Sequence, residues 1–239
     1  MQAELTIVIP AKNEARNLPL LLTSLSKQDY PLLPLTRVFV ADAGSTDQTV
    51  ESALLFLDRL NISVIPGGLP AVGRNGGARR ATTPYVLFMD ADIELPDPTL
   101  LRRSIEKMKR KGLYCVTADI RCKGGHFVDD LMFWGNNAVQ HFASFTKPFA
   151  TGMFMLFKRA KFNELGGFDE KALYAEDYLL SKRVSPLRFG IVRGHILTSN
   201  RRFQKMGHLH IAKMFLNTAI HTFDRSYFWR DQNYWKHEF

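Results

Sequence analysis

Four short runs rich in β-branched and aromatic residues recur along the first 90 positions, each separated from the next by a helical pattern. They are Leu5-Thr6-Ile7-Val8-Ile9, Arg37-Val38-Phe39-Val40, Ile62-Ser63-Val64-Ile65 and Tyr85-Val86-Leu87-Phe88-Met89. Between the first two, Leu18, Leu21, Leu22 and Leu25 repeat at helical spacing. Ser45, with Gln48 three residues on, predicts a capping box that opens a helix through Val50, Leu54 and Leu57. A glycine-rich segment, Gly67 to Gly77, leads into a short helix near Ala78. Strands alternating with helices build a mostly parallel sheet, because each crossover must return over the sheet to start the next strand in the same direction. The fourth run is nearly all apolar, as a strand covered on both faces should be.

The pattern then becomes mixed. Residues 97–111 read as a helix with a basic face, Leu113 to Arg121 as a strand and 126–145 as a helix. Met153 to Phe157 follows as a strand, Gly166-Gly167 as a break, Glu176 as a helix start and Phe189 to Val192 as a further strand. The fold class expected is α/β, with a Rossmann-like, mostly parallel sheet flanked by helices and a mixed second half. At 239 residues the chain has room for one such domain and a small appendage. The expected division is a domain over 1–205, with halves of about 1–95 and 96–205, and an aromatic, basic helical extension over 206–239.

Composition excludes several other classes. The 46% hydrophobic content is that of a globular protein, and 16 Gly with 11 Pro are too few for a low-complexity chain. The longest stretch without Asp, Glu, Lys or Arg runs from Leu131 to Thr146 and is broken by Asn136, Asn137, Gln140 and His141. That is too short and too polar to span a bilayer, which takes about 20 apolar residues. Met1-Gln2-Ala3-Glu4 leads directly into a strand, without the basic start and cleavage site of a signal peptide. Cys115 and Cys122, seven apart in one expected strand, would face opposite sides and cannot bridge. Reduced, structural cysteines and a cytoplasmic location are expected.

Acidic residues punctuate the strand ends. Asn13 and Glu14 follow the first strand, Asp42 ends the second, and Asp90-Ala91-Asp92 ends the fourth. Open parallel sheets bind ligands outside the carboxyl ends of their strands. Asp47 and Asp97 fit turn or cap positions instead. Asp90 and Asp92, separated by Ala91, can offer oxygens to one hard cation such as Mg²⁺ or Mn²⁺. Glu176-Asp177 opens a helix, where negative charge is favoured by the helix dipole; equally, a carboxylate there can serve as a general base.

Five motifs in order, Pro10-Ala11-Lys12-Asn13-Glu14, Asp42-Ala43-Gly44-Ser45-Thr46-Asp47, Asp90-Ala91-Asp92, Gly166-Gly167-Phe168-Asp169-Glu170 and Glu176-Asp177, resemble those of the family 2 glycosyltransferases. The resemblance covers about residues 5–205. It implies a GT-A fold, a UDP- or GDP-linked sugar donor, a divalent cation (Mn²⁺ or Mg²⁺) and inverting, hexosyltransferase-type transfer. It makes Pro10, Ala11, Asn13, Glu14 and Asp42 the wall for the base and ribose. Asp90 becomes a ribose or metal contact, Ala91 lies between the pair, and Asp92 is the metal ligand. Asp177, with Glu176 beside it, is similar to the family's base. Arg74 and Asn75 fall where the family contacts the nucleotide or diphosphate, although a surface loop is as good a reading. Gly152 resembles the glycine that opens the acceptor-side strand.

Two departures stand out. Asp42-Ala43 replaces the paired aspartates common in the family. No Gln-x-x-Arg-Trp is present, and Ser199-Asn200-Arg201-Arg202-Phe203 occupies the comparable place. This predicts transfer of a single sugar, with Arg201 or Arg202 near the diphosphate, where guanidinium forks suit phosphate oxygens. His195 is a candidate third metal ligand or a structural histidine; His208-x-His210 lacks partners for a metal site.

The net charge of +9 is concentrated at the end: residues 178–239 carry 11 basic and 3 acidic side chains. Ala212, Phe215, Leu216, Ala219, Phe223 and Tyr227 form an apolar stripe, with Lys213, Arg225, Arg230, Lys236, Trp229 and Trp235 around it. The stripe either packs back on the domain or lies in a membrane interface over anionic lipid, which would suit a lipid-linked acceptor. An alternative to catalysis is a basic protein on a transferase-like fold, docking on membrane or nucleic acid without turnover. The chain contains no recognisable nucleic-acid-binding module.

Overall fold

The computed structural model describes residues 2–230. Trp235 and Lys236 lie outside the described residues. The described chain forms one eight-stranded sheet in the order β3-β2-β1-β4-β7-β6-β8-β5. The strands are β1 (Leu5–Ala11), β2 (Arg37–Asp42), β3 (Asn61–Pro66), β4 (Tyr85–Met89), β5 (Ile93–Glu94), β6 (Cys115–Cys122), β7 (Phe154–Lys158) and β8 (Phe189–Thr198). The first four are mutually parallel, with Ala11 and Asp42 in register at the end of the β1–β2 pair. Strand β7 enters antiparallel between β4 and β6, and β8 runs parallel to β6. The expected parallel half and mixed half are both present.

Helices cover both faces. On one side Leu5, Ile7 and Ile9 of β1 pack with Leu18, Leu21, Leu22 and Leu25 of α1 (Leu18–Ser26) and with Leu101, Ile105 and Met108 of α4 (Leu100–Lys111). On the other, Val8 and Phe88 join Ala71 and Ala78 of α3 (Pro70–Arg80), together with Phe162 of α6 (Arg159–Glu164), Phe168 and Leu180. This alternation along β1 is the period-2 rule of a strand buried on both sides.

Several elements depart from expectation. The helix α2 (Thr49–Leu54) starts later and ends earlier than predicted, and no side-chain cap opens it. The Ser45 hydroxyl instead donates to Asp42. Asp47 accepts from the Thr49 amide at 3.0 Å, the cap-like role expected of it. The glycine-rich segment does not precede α3 but composes it, because the helix lies almost on the sheet. A Cβ on Gly77 would come within 2.4 Å of Val8 Cγ1, and one on Gly73 within 3.1 Å of Ala41 Cβ. Strand β8 runs on to Thr198 through a ladder irregularity at Ala118/Asp119 and a Gly194 with φ +125°. Neither disruption is visible as an alternating sequence pattern. Both cysteines are on β6 and free.

Beyond β8 come α8 (Arg201–Met206), α9 (His208–Ile220) and α10 (Arg225–Phe228). The end of α9 and α10 attach to the short helix α7 (Glu176–Ser181) and to the segment before it. Tyr178 Oη lies 2.5 Å from Thr222 Oγ1, Phe228 is fully buried among Ala172, Tyr174 and Leu179, and the Leu173 amide donates to the Phe228 carbonyl at 2.9 Å. The helix α5 (Phe127–Ala143) lies against β6, with Asn137 bonded to both the amide and the carbonyl of Ile120. Among the described residues no helix is long and apolar enough to cross a membrane.

Candidate active site

The carboxyl ends of β1, β2 and β4 open on one side of the sheet, and the chain leaving each is folded into a hydrogen-bonded cradle. Asn13 sits at φ +54°, one of two non-glycine residues with positive φ among those described. Its side chain accepts from the Thr46 amide at 2.9 Å, while its own amide donates to Ser45 Oγ at 2.9 Å. Asp42 accepts from the amides of Gly44 and Ser45, both at 3.1 Å. The Glu14 amide donates to Thr49 Oγ1 at 2.8 Å. The loops after β1 and β2 are therefore one rigid wall carrying Asn13, Glu14 and Asp42. Pro10 and Ala11 are the last residues of β1 beneath it.

A cleft of about 430 Å³ opens along this wall, lined by Asn13, Arg16, Asn17, Ser199, Asn200 and Arg201 among others. Arg16, Asn17 and Gln204 were not singled out from sequence, although Arg16 and Asn17 directly extend the Pro10–Glu14 run. Arg201 crosses the cleft floor: one guanidinium nitrogen donates to Glu14 at 2.7 Å and lies 3.3 Å from Asp92. Arg202 also acts electrostatically on Asp92. Burial, and next the charges of Asp90 and Glu14, push the Asp92 carboxyl up to about 6, against the pull of the two arginines. A carboxylate group still deficient in positive charge beside two arginines is chemically suited to a hard cation. Among the described residues no three His, Cys, Asp or Glu side chains gather closely enough to enclose an ion.

The connection to the second half runs through Arg74. This residue is not on a surface loop; it lies within α3 and is 2% exposed. Its guanidinium donates to Asp90 at 2.5 Å and to Glu176. A Cβ on Gly152 would approach Arg74 Nη2 to 2.3 Å, so the backbone before β7 must be bare there. The Gly152 amide in turn donates to Asp177 Oδ2 at 2.6 Å, and the Tyr178 amide to Oδ1 at 2.7 Å. Ala175, at φ +56°, is the second non-glycine residue in the left-handed region and sets the entry of α7. Both such residues flank this site, where backbone strain of order 1–3 kcal/mol is held by the surrounding bonds. Burial and the adjacent Glu176 raise the Asp177 carboxyl to about 6, while Arg74 and the two amides lower it. One guanidinium therefore grips the neighbour of Asp92 on one side and the neighbour of Asp177 on the other.

Two expected site residues lie elsewhere. Asn75 is 8% exposed, and its side chain is spent on the Phe168 carbonyl (2.9 Å), the Phe168 amide (3.0 Å) and Glu170 (2.9 Å). It fastens the Gly166–Glu170 loop to α3 rather than facing the cleft. His195, on β8, pairs in register with Asp119 of β6. Ile93, which follows Asp92, pairs with Thr198, and β5 then runs antiparallel back along β8, so His195 lies beyond it and away from the Asp90–Asp92 turn. Its charged neighbours are Arg121, Asp119 and Asp97. His208 Nε2 lies 2.6 Å from Asp129 Oδ1, a structural pair.

Comparison with known proteins places this geometry. The profile of glycosyl transferase family 2 matches residues 6–166, two thirds of the chain. The chain belongs to glycosyl transferase family 2. A 99-residue stretch is 33% identical to the poly(ribitol-phosphate) β-N-acetylglucosaminyltransferase TarS of Staphylococcus aureus, covering 40% of this chain and 17% of that one. A 93-residue stretch is 38% identical to the validoxylamine A glucosyltransferase of Streptomyces hygroscopicus subsp. jinggangensis, covering 37% and 22%. The matches thus span about a fifth of the length of these relatives. Among solved structures, S. aureus TarS 1-349 in complex with UDP-GlcNAc superposes with a TM-score of 0.67 at 20% identity, over 82% of this chain and 58% of that one. The mannosyltransferase PcManGT from Pyrobaculum calidifontis, in complex with GDP-Man and Mn²⁺, gives 0.69 at 22%, over 90% and 65%. The fold of this family 2 chain is the GT-A fold.

Proposed function

We propose that this protein is an inverting, divalent-metal-dependent glycosyltransferase that moves one sugar from a UDP- or GDP-sugar to an acceptor hydroxyl. The observation that carries the reading is the Asp90–Arg74–Glu176 bridge, which ties the strand end bearing Asp92 to the helix start bearing Asp177. Relatives named for glycosyl transfer, and solved neighbours holding UDP-GlcNAc or GDP-Man with Mn²⁺, support it. The donor's nucleotide lies along the Asn13–Glu14–Asp42 wall. Asp92, with Asp90 beside it, would hold the cation, which supplies positive charge toward the donor diphosphate. Arg201 and Arg202 add guanidinium charge on the same side.

Asp177 is the base. Two backbone amides fix its carboxylate in one orientation, so it can accept the proton of an attacking acceptor hydroxyl without a search over rotamers. The hydroxyl oxygen bonds to the anomeric carbon as the bond to the diphosphate breaks on the opposite face, which inverts the centre. Glu176 is occupied by Arg74 and positions Asp177 rather than sharing its proton.

The test is a screen of UDP- and GDP-sugars for release of nucleoside diphosphate, with and without EDTA, alongside thermal melts with donor and Mn²⁺. One donor class should turn over only with metal and raise the melting temperature, and Asp92→Ala should abolish both. Turnover undiminished by EDTA, or a shift that survives Asp92→Ala, overturns the metal assignment.

A further inference from the structure

Helix α5 turns several polar residues inward: Asp129 and Gln140 are buried and Asn137 is bonded to the backbone of Ile120, with Phe133 the large apolar side chain packed on the core. Other large apolar residues face away: Phe127 is 80% exposed, Trp134 68% and Phe142 75%, Leu131 is likewise open, and so is Phe145 just past the helix. Phe127, Leu131, Trp134 and Phe142 recur at spacings of 4, 3 and 8, so they form one outward stripe. Helix α9 also leaves apolar residues outside. Ile211 is buried, whereas Leu209, Phe215, Leu216, Ile220 and the following Phe223 are exposed.

The two helices are tied at both ends. Near their starts His208 and Asn200 both bond to Asp129, at 2.6 and 2.9 Å. Past their ends Lys147 Nζ stands 4.2 Å from the Phe223 ring centroid. The exposed side chains of the two helices therefore lie in adjoining parts of the surface, where the exposed cations Lys147, Lys205, Lys213, Arg225 and Arg230 outnumber the exposed acids Asp130 and Asp224. An isolated exposed Leu needs no explanation, but eight large apolar side chains on two neighbouring helices, with Phe145 and Phe223 just past their ends, do.

We infer that α5 and α9 together form a platform that seats the protein on an anionic lipid bilayer. Charge complementarity selects this occupant: exposed aromatics enter the headgroup layer while Lys and Arg at their margin meet lipid phosphate. The placement deepens the transferase reading and rests on it. Helix α8 begins at Arg201, beside Asp92, and leads directly into α9, whose far end meets Tyr178, the residue after Asp177. One helix of the platform is thus joined at its start to the segment bearing Arg201 and at its end to α7, which bears Asp177. A bilayer seated on it puts the acceptor hydroxyl on a lipid-linked molecule held at that surface.

Flotation of the whole protein with phosphatidylcholine vesicles, with and without phosphatidylglycerol, tests the inference. Binding should require phosphatidylglycerol and weaken at high salt. The exposed-face variants Phe142→Glu and Leu216→Glu should each lower the bound fraction about tenfold or more, as expected for withholding one large apolar side chain from the membrane. Both should leave donor hydrolysis and the melting temperature unchanged. Tryptophan quenching by lipid-attached quencher, compared between the wild type and Trp134→Phe, reads α5 directly without depending on a charged variant. No flotation at any salt, or quenching unaltered by Trp134→Phe, overturns the platform even when the transferase assay succeeds. Sedimentation showing a dimer that Phe142→Glu and Leu216→Glu dissociate, with no vesicle binding, would also overturn it and assign the face to a second copy. Failure of donor hydrolysis with intact flotation would instead strike the transferase reading alone.

Discussion

At the residue scale, the site turns on how few groups serve both halves of the fold. Arg74 is fully buried with its charge divided between Asp90 and Glu176, whose side chains are 24% and 9% exposed. Replacing it with Met leaves two carboxylates facing each other without a cation. The expected loss is about 3–5 kcal/mol in urea unfolding, the cost typical of breaking a buried pair on one side. Arg74→Lys should not restore activity, because a single ammonium cannot make both bonds of the fork. Asp177 gives a second expectation. Its carboxyl is raised to about 6 by burial and Glu176, and only the ionised form accepts a proton, so kcat/KM should fall as pH drops through that region. A pH–rate profile checks this; an acidic limb at the ordinary carboxylate value near 4 would contradict it. Asp177→Asn should lower transfer by about 10²–10⁴-fold. Its fold should hold at a modest cost of about 1–3 kcal/mol, because Asn accepts from one backbone amide but turns its NH2 toward the other; a carboxyl raised in the folded state contributes stability that is present at low pH and lost as pH rises through its folded value, so loss of the charge offsets part of that cost above pH 6. Thermal melts across pH separate the two effects.

At the element scale, glycine placement distinguishes helices that touch the sheet from helices that do not. Gly77 on α3 and Gly135 on α5 are both mid-helix. A Cβ at 77 would meet Val8 Cγ1 at 2.4 Å, whereas at 135 nothing lies within 4 Å. Alanine should therefore act with opposite signs. Gly77→Ala should cost about 1–3 kcal/mol by overpacking, despite its better helix propensity. Gly135→Ala should stabilise by about 0.5–1 kcal/mol through reduced backbone entropy. Paired urea titrations measure both. From sequence, Gly67 to Gly77 reads as a loop because glycine is a poor helix former; contact between α3 and β1, not propensity, decides the element. The same override moves the start of α2 away from Ser45, whose hydroxyl is taken by Asp42.

At the scale of the whole molecule, donor binding should stabilise the protein as a unit, because the cleft joins loops from both halves. Saturating nucleotide-sugar with Mn²⁺, at about 100 times Kd, should add about 2.7 kcal/mol. Arg201→Ala should reduce that gain without removing it, since Asp92 and the Asn13–Asp42 wall remain; an undiminished shift would place Arg201 outside the donor site. Differential scanning calorimetry at fixed ligand concentration is the measurement.

The sequence by itself determined the parallel half of the sheet, since alternating strand and helix periods admit few other packings. It also determined which carboxylates gather at the sheet's edge, because a strand end fixes the position of the residues that leave it. Only the tertiary structure decided what holds them. Arg74 bridges to a residue 102 positions later, Asn75 serves a loop rather than a ligand, and His195 is carried away from the Asp90–Asp92 turn by the register of β8. Long-range pairing of this kind leaves no local periodicity. For the same reason the outward faces of α5 and α9 were not legible in their spacing: a hydrophobic stripe marks one side of a helix, but only its neighbours determine whether that side meets the core or the surroundings.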